Sequence, residues 1–248
     1  MLCLALMNSR TPDVPAIAAA SGYDAVYVDL EHTSTSLETA AMLCASATGA
    51  GIWALVRVSS QEPSLIARVL DMGATGIIVP HVNSASEAQR VVAAARFPPV
   101  GHRSISGPNA LSGFAARTAT ELTEVLEART VVAVMVETPD AVRDADAIAS
   151  VEGVDMVLIG PSDLTAEMGI HGQYENERFR DAVDSVAAAC RTHGVALGMA
   201  GIKSLDLLKR FVGLGLRFIS AGTDVGMMTE AATARAQALR GLDGTATM

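Results

Sequence analysis

Several residue types are scarce in this 248-residue chain, which has three cysteines, one tryptophan, three tyrosines and only two lysines. Cys3, Cys44 and Cys190 are scattered, with neither C-x-x-C nor zinc-ligand spacing. They read as buried thiols of a protein in a reducing cytoplasm, not as a disulfide framework. Aromatics make up 4% of the residues, too few for base-stacking or sugar-binding platforms. The net charge is -9 and no basic patch stands out, which argues against a nucleic-acid partner. The opening apolar run is too short to span a bilayer and has no basic flank. Neither a membrane span nor a signal peptide is expected there. No G-x-G-x-x-G follows the first apolar run, which weakens the case for a dinucleotide-binding sheet.

Apolar residues, by contrast, are plentiful at 50%, against 18% charged. They alternate with alanine-rich helical stretches along the whole chain. Strands are predicted at 3–7, 25–29, 53–58, 76–80, 131–136, 156–160, 195–199 and 217–221. Helices are predicted at 12–21, 36–49, 62–72, 84–96, 138–150, 174–193, 204–214 and 226–240. Thr11-Pro12 and Ser84 to Glu87 look like helix starts, and Gly22, Gly73, Gly194 and Gly215 like helix stops. Eight consecutive βα units predict a single-domain α/β protein, a (β/α)8 TIM barrel over 1–248. An open doubly wound sheet is the rival. Two stretches are irregular. One, about 98–119, is expected on the catalytic face after the fourth strand, and the other is about 161–173. The polar tail after about 241 is expected to fray.

Two apolar runs end in acids. Val131 to Val136 leads into Glu137, and Val157 to Ser162 into Asp163. A charge at the C-terminal end of a buried parallel strand is costly unless it is used, and barrels place their chemistry at that end. Two such acids suggest an oxygen-ligand site for a divalent metal. His32, just past the second strand, has the chemistry of a general base; the alternative is a capping histidine. Arg57, at the end of the third strand, must be paired or must meet an anion. A salt bridge with Asp71 or Glu31 is the plainer reading. Asp71, at a helix C-terminus, either orients a catalytic histidine or is a solvated acid. His81 points to the same mouth and ranks behind His32. Gly160-Pro161-Ser162-Asp163 forms a tight turn whose Ser162 and Asp163 amides can face an anion; the alternative is a helix cap. Lys203 and Lys209 follow the seventh strand, away from a strand end, so no Schiff-base lysine is expected.

Taken together, these segments resemble the HpcH/HpaI aldolase family, the metal-dependent class II pyruvate aldolases. The carrying motifs are Tyr27 to His32, Val56 to Val58, Leu70 to Ala74, Ile78 to Pro80, Phe97 to Arg103, Val136 to Thr138 and Gly153 to Leu164. The likeness runs from about 12 to 235. It implies Glu137 and Asp163 as ligands of Mg²⁺, Mn²⁺ or Co²⁺, and Arg57 on the oxo and enolate oxygen. It implies His32 oriented by Asp71 as the acid/base dyad, and Gly160, Ser162 and Asp163 around the substrate carboxylate. Ala200 would stand near the acceptor, where relatives often carry leucine. The implied activity is reversible aldol addition of a pyruvate enolate, or that of a close 2-oxo acid, to an aldehyde. The implied assembly is a homo-oligomer, a hexamer or trimer of dimers, with the helix at about 226–240 at the interface. Two departures stand out: Met135, where many relatives have glutamine, and the segment 104–118, expected beside the aldehyde. Two alternatives remain: a related barrel acting on a CoA thioester (as a citramalyl-CoA lyase does) or on phosphoenolpyruvate, and a non-catalytic oligomeric barrel. Few basic residues near the mouth suit CoA.

Overall fold

Alternation along the strands sets the architecture. A computed structural model describes residues 1–242. Eight parallel strands close into one barrel in chain order. They are β1 (Leu2–Leu6), β2 (Ala25–Asp29), β3 (Trp53–Arg57), β4 (Gly76–Val79), β5 (Val131–Val136), β6 (Met156–Ile159), β7 (Ala196–Ala200) and β8 (Leu216–Thr223). Odd positions such as Ala25, Tyr27, Leu55, Ala133 and Met135 fill the interior. Even positions such as Val26, Val28, Val56, Val132 and Val134 pack outward against the helices. Both faces are therefore dry, and for that reason these strands read as unbroken apolar runs.

The helices are α1 (Asp13–Ala20), α2 (Leu37–Gly49), α3 (Pro63–Asp71), α4 (Ala85–Ala95), α5 (Ala119–Glu127), α6 (Pro139–Arg143), α7 (Ala145–Ala149), α8 (Pro161–Glu167), α9 (Glu177–His193), α10 (Leu205–Gly213) and α11 (Asp224–Leu242). Ser84 caps α4 by accepting the Glu87 N–H at 3.3 Å. Gly194 ends α9 at φ +70°, a left-handed conformation that favours glycine. The predicted cap of α1 is shifted, for Pro12 itself is the N-cap residue and no side chain bonds there. The predicted helix 138–150 divides at Asp144, whose carboxylate accepts the Ala85 N–H at 2.7 Å. The stretch 161–173 opens with α8, and Gly241 and Leu242 close α11. The rest of the polar tail lies outside the described residues.

The stretch 98–119 needs correction. It follows α4, which runs back from β4, so it lies at the N-terminal ends of the strands, opposite the catalytic face. Arg96 and Arg103 secure it there. Arg96 reaches Glu127 at 2.8 Å, the Thr130 carbonyl at 3.1 Å and the Asp155 carboxylate at the foot of β6. Arg103 stacks 4.7 Å over the Phe97 ring and donates to Asp71 at 2.7 Å. Within one chain, 104–118 therefore does not border the site at the mouth.

Candidate active site

Register brings the charges together. β2 and β3 pair with Asp29 beside Arg57, and both follow the inward-facing phase of their strands. Asp29 is fully buried. One of its oxygens accepts the N–H groups of Glu31 at 2.8 Å and His32 at 3.2 Å, which folds the turn after β2. The carboxylate also takes Arg57 through Nε at 3.2 Å and through Nη2. Arg57 Nη1 lies 3.1 Å from Glu31 Oε2. Burial works against the guanidinium charge, but Asp29, Tyr27 and Glu31 outweigh it and raise the Arg57 pKa. The plain reading of Arg57 as a salt-bridged residue is thus met by Glu31 and by Asp29, which the sequence did not single out. Arg57 nevertheless lines the cavity described below.

β5 and β6 pair with Val136 beside Ile159, so Glu137 and Gly160 follow as neighbours. Glu137 is 1% exposed. Burial pushes its pKa up, and the charges of Asp163 and Glu31 add to the rise; the His81 N–H and ring act the other way. A Cβ on Gly160 would come within 2.5 Å of Glu137 Oε2, so glycine there leaves that oxygen its space. Asp163 occupies the first turn of α8 and is exposed. Gly160, not Ser162 or Asp163, is the N-cap of α8. The Ser162 and Asp163 N–H groups then fall in the first turn, which has no intrahelical acceptors.

His81 is placed more centrally than the sequence indicated. It adopts φ +54°, uncommon for a residue with a side chain. Its N–H donates to Glu137 Oε1 at 2.7 Å. Its ring bridges two carboxylates, with Nδ1 3.1 Å from Glu137 Oε1 and Nε2 3.2 Å from Glu31 Oε1. The only sequence signal was its position just after the Pro80 that follows β4.

A cavity of about 290 Å³ opens on this face. His32, Arg57, Gly160, Ser162, Asp163 and Ala200 all line it. Tyr27 and Ser220, not singled out by the sequence, form part of its wall, and burial pushes the Tyr27 pKa up to about 12. Both lie in the inward phase of their strands, a signal that two-residue periodicity carries. Met135 also reaches the cavity.

Asp71 is not among these residues. It is the last residue of α3, at the opposite end of the barrel, and it holds Arg103. The pairing of His32 with Asp71 is not formed within this chain. The carboxylate near His32 is Glu31, with 3.6 Å between Nε2 and Oε2.

Glu137 and Asp163 provide two hard oxygen donors, one buried and one at the cavity wall. Among the described residues, no group of three or more His, Cys, Asp or Glu side chains could hold a metal. Two carboxylates still fit a small hard cation, which commonly takes one or two of them and completes its shell with water and substrate oxygens.

A family model described as HpcH/HpaI aldolase/citrate lyase matches residues 3–231. A 4-hydroxy-4-methyl-2-oxoglutarate aldolase of Hapsidospora irregularis is 38% identical, over 88% of this chain and 82% of that protein. A protein of the same description from Chaetomium globosum is 36% identical, over 94% and 88%. The crystal structure of an HpcH/HpaI aldolase from Desulfitobacterium hafniense superposes with a TM-score of 0.93 at 28% identity, covering 99% of this chain and 95% of that one.

Proposed function

Since the chain belongs to the HpcH/HpaI aldolase/citrate lyase family and is a carbon–carbon lyase, we propose that it joins the enolate of pyruvate, or of a close 2-oxo acid, to an aldehyde, and cleaves the resulting 4-hydroxy-2-oxo acid in reverse. The observation that carries this reading is the sharing of one cavity by Arg57, His32 and Asp163, with Glu137 against it. Glu137 and Asp163 would hold Mg²⁺, Mn²⁺ or Co²⁺. Such a cation, when bound, polarises the 2-oxo group as a Lewis acid.

The chain's own residues supply the rest. Arg57, fixed through Nε and Nη2 by Asp29 and through Nη1 by Glu31, sets a rigid positive charge against the oxygen that becomes negative in the enolate. The Ser162 and Asp163 N–H groups donate to the substrate carboxylate beside Gly160. His32 takes the proton from the 4-hydroxyl in cleavage and returns it in addition, with Glu31 as its carboxylate neighbour. Ala200 leaves room for the acceptor. Three buried free thiols suit a reducing cytoplasm. No helix among the described residues is long and apolar enough to cross a membrane. A homo-oligomer, a hexamer or trimer of dimers, would bury α11, which has no buried residue in the single chain.

The test is deuterium uptake into the methyl group of pyruvate, followed by NMR with Mg²⁺ or Mn²⁺ and with a chelator control. It needs no knowledge of the acceptor. Exchange that requires the cation and falls by about 10²–10³ in Arg57→Ala is the expected result, the usual loss when an oxyanion donor is removed. Exchange that survives both the chelator and Arg57→Ala overturns the reading.

A further inference from the structure

At the foot of the barrel, opposite the mouth, the interior is incompletely filled. A cavity of about 210 Å³ lies there, walled by Trp53, Leu55, Val131, Met156 and Phe218. Trp53, Val131 and Met156 are the first residues of β3, β5 and β6, which fixes its place at the N-terminal ends of the strands. Among the described residues it shares none with the cavity at the mouth. The same five side chains belong to the apolar cluster that packs the barrel interior. The void follows from the sequence of β7, whose inward positions are Ala196 and Gly198; of the two, Ala196 lines the cavity. At Gly198 a Cβ would come within 2.8 Å of Leu158 and 2.9 Å of Met156, so close packing there needs glycine. At Ala196 a single methyl group stands where β3, β5 and β6 send larger side chains.

The rim of this cavity carries charge. Arg217 is exposed there and donates to the Leu216 carbonyl at 3.2 Å. Among the described residues no carboxylate pairs with it. Asp155, also at the rim, is already engaged by Arg96 and by the Val132 N–H at 2.7 Å. Apolar walls with one convergent polar group are the usual make-up of a small-molecule site. An apolar cavity of about 150 Å³ accepts benzene. The larger volume here leaves space for one ring and a substituent. We propose that the foot of the barrel binds a small apolar monocarboxylate of about one aromatic ring. The ring would pack against Trp53 and Phe218, and the carboxylate would meet Arg217. Asp155 on the same rim disfavours a second negative charge, so a dicarboxylate fits less well. The site is independent of the enolate chemistry at the mouth and uses none of its residues.

Trp53 is the only tryptophan of the chain, so tryptophan fluorescence reports on this wall alone. The experiment titrates the full-length protein with benzoate and with toluene, a neutral ring of similar size. Benzoate should change the Trp53 emission saturably and raise the melting temperature with its concentration, as a ligand of the folded chain must. Arg217→Met should weaken benzoate about tenfold or more, the scale of a hydrogen bond to a charged group, and leave toluene unchanged. Ala196→Leu, which fills the void, should abolish the response to both, with circular dichroism and pyruvate methyl exchange matching the wild type. No saturable change with benzoate, or an unaltered affinity in a folded Ala196→Leu protein, overturns the site. Benzoate binding that Arg217→Met leaves unchanged, or equal weakening of both probes, overturns the carboxylate contact and the ligand class with it. Arg217 is exposed, so that variant decides the matter even where Ala196→Leu does not fold.

Discussion

At the level of single residues, the site sets carboxylates against one another, with His81 as the basic group between Glu31 and Glu137. Glu137 is buried next to two other carboxylates, and its pKa is raised by that burial and by their charge. Glu137→Gln should therefore abolish cation binding in titration calorimetry while leaving the melting temperature of the cation-free protein equal or higher. A gain of up to about 1–2 kcal/mol is typical when a strained functional site is relaxed. A large destabilisation would mean that Glu137 is a structural anchor instead. Gly160→Ala probes the same oxygen. Its Cβ would press to 2.5 Å from Glu137 Oε2 with no backbone strain, since the Gly160 φ is -97°. Divalent affinity should fall about 10–100-fold, the scale of displaced ligand support, with the fold intact by circular dichroism. Unchanged Mn²⁺ affinity would show that this oxygen is not a ligand. Glu137, Arg57 and Asp163 were legible in the sequence because a charge ending an apolar run is conspicuous. Asp29 was not, because nothing in one strand announces which residue of the next will stand beside it.

Secondary-structure elements are held at the mouth by Asp224, the first residue of α11. Its carboxylate accepts N–H groups of Met7, Asn8, Ser9 and Val225, which ties the end of β1 to the end of β8. Burial would raise its pKa, yet the bonds from Ser9, Met7 and Val225 outweigh burial and lower it. A lowered folded value stabilises the protein above the unfolded value of about 4, and that stability is lost as pH falls through the folded value. Asp224→Ala should cost about 1.5–3 kcal/mol near neutrality and flatten the acid limb of the stability curve below about pH 4 in urea titrations. An acid limb identical to wild type would remove Asp224 from this role. The strands were legible as elements, since each is a short apolar run between breakers. Helix α5 was overlooked although Thr118 and Glu121 spell a capping box that the structure contains. The stretch 98–119 falls on the face opposite the site because α4, legible as the segment 84–96, runs back from β4 and leaves the chain at the N-terminal ends of the strands.

For the whole molecule, α11 raises the question of assembly. It has 19 residues and none is buried, with Met228 69% and Leu239 54% exposed. A helix gains most of its stability from packing an apolar face, so α11 calls for a neighbour. Light scattering after size exclusion should give a multiple of 25.6 kDa. Truncation after Met228, which keeps the Asp224 tie, should give a smaller species. A full-length mass of one chain would rule out the assembly.

The sequence by itself determined the class of the fold, the strands and the identity of the acids and the arginine at their ends. These depend on local periodicity and on the cost of a charge beside a buried run. Tertiary structure alone decided who stands next to whom. It paired Arg57 with Asp29, set His81 between Glu31 and Glu137, and sent Asp71 to the far end with Arg103. Those relations come from strand register and barrel closure, which join positions far apart in the chain, and no local pattern encodes such distances.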